Sequence, residues 1–175
     1  MTVIAALIAA VVAVAGYMLT QAQGRRERRA REFAQALAAV EEYLEAPYRI
    51  RRRQAATPEA RDALTNSLSD LQARIAHHEA WLHVEAPAVA AAYDALVAAA
   101  RSEAGVQMTQ AWNSAPLARD ADMNLKVAYP HPDSDAARAR VIAVMRQNLR
   151  YLPSASALRP ASPGAVDGGS ADTLP

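Results

Sequence analysis

The sequence of 175 residues has no cysteine, one lysine (Lys126) and one phenylalanine (Phe33). Without cysteine there is no disulfide framework, no thiolate metal site and no cysteine nucleophile. Glycine occupies only 6 positions, and none forms a Gly-rich phosphate loop or a GxSxG nucleophile elbow. Carboxylates adjoin only as sequence neighbours such as Glu41-Glu42, on an exposed helix and without ligand spacing. These absences predict a protein that is not an enzyme and carries no cofactor. The near absence of lysine leaves a basic character that is almost all arginine. Together with the alanine richness, this points to a GC-rich bacterial genome and not to a binding code.

Another absence is local. Residues 2–23, TVIAALIAAVVAVAGYMLTQAQ, hold no ionisable side chain except the Tyr17 phenol. The apolar run Val3–Leu19 is 17 residues long, close to what spans a hydrocarbon core of about 30 Å. Tyr17 suits the headgroup level. Arg25, Arg26, Arg28, Arg29 and Arg31 follow at once. A cleaved signal peptide needs its positive charge before the apolar stretch, and here the charge comes after it. The order predicts a transmembrane anchor over 1–23, with the N-terminus outside and everything beyond Arg25 in the cytoplasm. The expected location is therefore a bacterial inner membrane, crossed once, with the arginine collar and Tyr17 touching lipid. Ala5, Ala9 and Ala13 recur at small-xxx-small spacing, which lets two such helices approach closely.

The net charge of +1 hides a segregation. Residues 24–53 carry nine Arg against five Glu, 54–137 five Lys/Arg against eleven Asp/Glu, and 138–160 five Arg with no acid. Blocks of this kind favour docking of unlike faces. The cluster Arg49, Arg51, Arg52 and Arg53 is assigned to helix-end or intramolecular charge, with nucleic acid disfavoured as its partner.

Apolar periodicity predicts an all-α chain. A basic juxtamembrane helix and Arg-rich turn fill 24–54, where Phe33, Leu37, Val40 and Leu44 share a face until Pro47 stops them. A helical domain occupies 55–152, arranged as a small bundle or an antiparallel hairpin. Its first helix opens at Thr57-Pro58 and carries Leu64, Leu68, Leu71, Ile75, His78 and Leu82 at alternating steps of four and three. That is a heptad seam, expected to serve self-association or a protein partner. The next starts near Pro87, either as a turn or as a kink, with Val89, Tyr93, Leu96 and Ala100 on one face. It ends near Gly105 or continues to Trp112. The last, capped by Asp133 or Ser134, shows Val141, Ile142, Val144, Met145, Leu149 and Leu152 on one side, with Arg140, Arg146 and Arg150 outside it. Such a basic amphipathic helix completes a bundle or lies on an anionic membrane. The composition of 153–175, rich in Pro, Ser, Ala and Gly, predicts a disordered tail. Pro47, Pro58, Pro87 and Pro116 rule out the continuous helix of a rotary ATP synthase stalk, and no family is assigned.

The stretch IAHHEAWLHVEAP (75–87) concentrates His77, His78 and His83 around Trp81. At about 100° per residue the three imidazoles point in three directions, so they do not ligate one ion from a single helix, and no metal site is predicted. His78 falls on the seam, where a neutral ring packs against a facing helix and forms a hydrogen bond to it. Glu79 and His83, four apart, are expected to pair on the solvent side. The resulting expectation is a tethered interaction or scaffold module. The alternatives are a lipid-surface device and a small-molecule or metal sensor.

Overall fold

The computed structural model describes residues 2–117, 119–123, 125 and 128–150, apart from the side chains of 2–9 and 11. The tail 153–175 and Leu152 lie outside the described residues. Within them the fold is all-helical and contains no strand. Four long helices, α1 (Thr2–Leu44), α3 (Pro58–Glu85), α4 (Pro87–Asn113) and α5 (Pro132–Asn148), are joined by a short α2 (Ala46–Arg51) and by loops.

The 43 residues of α1 span about 65 Å at 1.5 Å per residue. Helix-favouring alanine and arginine carry it past Gly24 without a break. It ends at Leu44, just before Pro47, whose ring supplies no amide proton to continue the ladder. Phe33, Ala36, Ala39, Val40, Tyr43 and Leu44 are buried, so the core begins well along this helix. Among the described residues no helix is long and apolar enough to cross a membrane. The anchor expected over 1–23 is thus not found among the described residues; the side chains of 3–9 and 11 lie outside them.

Thr57 caps α3, its hydroxyl oxygen accepting the Ala60 amide at 3.3 Å. The helix runs antiparallel to α1: Glu42 meets Arg74, while Phe33, earlier in α1, meets Trp81, later in α3. At Pro87 the chain makes a sharp corner. The single residue Ala86 (φ −146°, ψ 60°) closes α3 and opens α4. Across it Arg101 lies 3.6 Å from Glu79; a continuous helix would hold them about 33 Å apart. Proline at the first position of α4 forfeits no hydrogen bond, which is how a one-residue corner forms without Gly, Asn or Ser.

Central helix α4 touches all the others. Val89, Tyr93, Leu96, Ala104 and Ala111 are fully buried on it, and the Tyr93 hydroxyl donates to the Ala36 carbonyl at 3.0 Å. It passes Gly105 and continues to Asn113. Its alanines give α5 a close approach, and Ala137, Val141 and Met145 are buried there. The α5 face that packs is thus 134–137–141–145, which leaves Ile142 and Val144 half-exposed. Val141 and Met145 on the apolar side of α5 thus complete the bundle.

Candidate functional site

No side chain of α5 caps its own start. Its N-cap, His131, makes no capping bond, and neither Asp133 nor Ser134 fills that position as expected. The carboxylate of Glu103 on α4 accepts instead, from the Asp133 amide at 2.9 Å, the Ser134 amide at 3.1 Å and the Ser134 hydroxyl. Burial would raise the Glu103 pKa, but these three donors and the nearby His131 hold it below the ordinary carboxylate value. A carboxylate at a helix N-terminus satisfies open amides and meets the positive end of the dipole.

Arg53 does the converse at the C-terminal end of α4. Its guanidinium is buried and donates to the carbonyls of Ile50 at 3.0 Å, Ala111 at 2.9 Å, Trp112 at 3.1 Å and Ser114. The Trp112 ring lies 5.2 Å away. One side chain thus closes the C-terminal ends of α2 and α4, where carbonyls lack helical partners. Of the Arg49–Arg53 cluster this residue alone is buried; Arg51 donates to the Ala115 carbonyl and Arg52 pairs with Glu45.

The seam closes within the chain. Leu71, Ile75, His78 and Leu82 are buried, whereas Leu64 and Leu68 are half-exposed; Leu64, Leu68 and Leu71 line a cavity of about 20 Å³ against α2. The inner seam therefore packs inside the bundle. The neighbours Glu41 and Glu42 tie α1 to two helices, Glu41 to Arg138 of α5 and Glu42 to Arg74 of α3. Arg138 of α5 so meets α1, while Arg140, Arg146 and Arg150 stay exposed.

The three histidines diverge. His77 is exposed, His83 pairs with Asp94 of α4 at 3.0 Å, and His78 turns toward α1. Glu79 therefore does not take His83, because α4 offers Asp94 to the imidazole and Arg101 to the glutamate. His78 forms no hydrogen bond through Nδ1, contrary to the expected bond across the interface; Glu32 is nearest, at 3.9 Å. Burial lowers its pKa, as do His77 and Arg74, against the opposing pull of Glu32. Among the described residues no three His, Asp or Glu side chains converge on a common point.

What remains open to ligands is the base of the bundle. Residues 12–20 of α1 are exposed all round, with Val12, Val14, Tyr17, Met18 and Leu19 each at least 60% accessible. Arg25, Arg26, Arg28 and Arg31 project just beyond them, and Arg29 is half-exposed. Two clefts flank this collar. One of about 630 Å³ lies against α3, where Trp81, Glu32 and Glu85 join the arginines. The other, about 430 Å³, lies against the end of α5. The collar was legible from sequence, but its clefts were not, because their second walls come from Trp81 and residues further along the chain. Glu103 carried no sequence signal, and Arg53 was marked only as one of four arginines assigned to helix-end or intramolecular charge; each acts on backbone groups that only tertiary contact brings near. Comparison with family models, with curated proteins and with solved structures finds no match to this chain.

Proposed function

We propose that this chain is a non-enzymatic, single-pass membrane protein whose helical bundle stands on the cytoplasmic face as an interaction or scaffold module. One observation carries the reading. A single helix runs from the packed core into a segment whose described large apolar side chains, Val12, Val14, Tyr17, Met18 and Leu19, are each at least 60% exposed. Isolated apolar side chains on a surface are ordinary, but a continuous helical sleeve of them is a surface that water does not stabilise. A bilayer covers it, and the arginines that follow fix the orientation. The interaction role is supported by what the bundle leaves exposed: Leu64 and Leu68 at the head of α3, and a basic base.

The lack of native cysteine makes the test direct. A cysteine at Thr2 should react with a membrane-impermeant maleimide in intact cells, and one in the tail only after lysis. Alkaline carbonate should leave the chain in the membrane pellet. Release by carbonate, or an accessible tail, refutes the anchor or its orientation. For the module itself, crosslinking and mass photometry in detergent should reveal a dimer or a retained protein partner; monomer alone counts against it. A lipid-surface role is a second reading, favoured by the basic clefts rather than by α5.

A further inference from the structure

The cleft between α1 and the end of α5 has a polarity of its own. Four arginines line it and no carboxylate does, unlike its neighbour against α3, which includes Glu32 and Glu85. Arg25 and Arg29 rise from α1, and Arg150 reaches in from the residues after α5. Met18 and Ala22, earlier in α1, and Leu149 at the end of α5 add apolar lining, beside the polar Gln21 and Asn148. Cations and apolar atoms are therefore layered along the axis of α1. From Met18 to Arg25 the rise is about 10 Å, and to Arg29 about 16 Å. The headgroup layer of a bilayer is some 5–8 Å deep on each side, and an arginine stem can lay its apolar length back toward it. The forked guanidinium matches phosphate oxygens two at a time.

We infer that this cleft binds the phosphate of an anionic phospholipid headgroup, with Arg25, Arg29 and Arg150 on the phosphate and Met18, Ala22 and Leu149 against the glycerol and upper acyl chain. The site rests on the anchor reading, since only a tethered bundle presents this cleft at headgroup depth. It also requires the folded bundle, because α5 supplies one wall. A soluble phosphate would use the same arginines but would gain nothing from the apolar end.

The test uses the full-length chain in neutral detergent micelles, with native mass spectrometry counting bound lipid. Dioctanoyl-phosphatidylglycerol, dioctanoyl-phosphatidylcholine and inorganic phosphate are the probes. One phosphatidylglycerol per chain should bind in clear preference to phosphatidylcholine. The pair Arg25→Gln and Arg29→Gln should weaken it about 30-fold, whereas the charge-matched pair Arg140→Gln and Arg146→Gln should change it less than about 2-fold. Met18→Gln, at an exposed position that leaves every charge in place, should weaken it about 3-fold. Equal binding of the two lipids, or equal losses in the two arginine pairs, would overturn the site. Displacement of phosphatidylglycerol by inorganic phosphate at the same concentration would overturn the lipid assignment in favour of a soluble phosphate. Circular dichroism of each variant separates a lost site from a lost fold. Carbonate extraction separates the two readings: a chain that leaves the membrane fails as an anchor. One that stays but does not distinguish the lipids fails only at the cleft.

Discussion

Replacing Arg53 with methionine keeps most of the buried stem and removes every donor of the guanidinium. In the native fold that group bonds to four carbonyls, of Ile50, Ala111, Trp112 and Ser114. The Ala111 and Ile50 positions are nearly inaccessible, at 0% and 3%, so water cannot replace the lost donor there, and each carbonyl keeps one backbone bond, from the Ser114 and Arg53 amides at 3.3 Å. Each hydrogen bond lost from a charged donor costs about 1.5–3 kcal/mol. The carbonyls of Trp112 and Ser114 are only partly covered and regain water at small cost. Against this, the variant no longer buries a cation. The balance is a loss of about 3 kcal/mol, which lowers the melting temperature of a chain this size by about 6–12 °C. Lysine at the same place has one compact ammonium and cannot span four carbonyls, so Arg53→Lys should recover no more than about half of the loss. The neighbouring Arg52 is exposed and pairs with Glu45 at 3.4 Å, an arrangement worth under about 1 kcal/mol; Arg52→Met is the control. Thermal unfolding of the full chain in mild detergent, followed by far-ultraviolet circular dichroism, measures all three. If Arg53→Met melts with Arg52→Met, or if Arg53→Lys equals the parent, the carbonyl clamp is not what closes this end of the bundle.

Glu103→Gln should cost about 1–2 kcal/mol, read as a lower melting point and faster amide exchange in the first turn of α5. The contribution of Glu103 is full above the ordinary carboxylate pKa and is lost as pH falls through its lowered folded value, so parent and variant should converge in strong acid. Unchanged exchange at Asp133 and Ser134 would dismiss the cap. His78 runs with the opposite charge. Its folded pKa lies below the unfolded value, so the unfolded chain takes up the proton first and stability declines as pH drops below about 6.5. His78→Leu, which continues the seam, should flatten that decline, and a parallel pH profile would reject the assignment. Gly105 sits inside α4, and a methyl group in place of its hydrogen would meet nothing within 4 Å. Gly105→Ala should therefore stabilise by about 0.5–1 kcal/mol, and a lower melting point would contradict the open space.

Much of the secondary structure was legible because it depends on neighbours in the chain. Thr57-Pro58 starts α3, Pro47 ends α1, and the steps of four and three from Leu64 to Leu82 mark the side that turns inward. Capping chemistry and helical periodicity act within a turn or two, so local sequence suffices for them. Pro87 was only half legible. A proline at the first helical position fits a corner or a bend equally well, and the choice fell to the packing of α3 and α4 on α1.

The rest depended on contacts that no local pattern encodes. Two adjacent glutamates bind different helices, because a step of one residue turns about 100° around α1. Four arginines in YRIRRR looked alike, yet only Arg53 faces the ends of α2 and α4. The start of α5 is capped from another helix, so its own Asp133 and Ser134 gave a false capping signal. By itself the sequence determined an all-helical fold, the end of α1, the start of α3 and the apolar and basic order of the first residues, since each follows from periodicity, proline and charge read along the backbone. Tertiary structure alone decided which heptad residues face inward, where each charge finds its partner and which arginines frame a cleft. Those outcomes depend on what stands opposite a side chain, and that is set by packing between residues far apart in the chain.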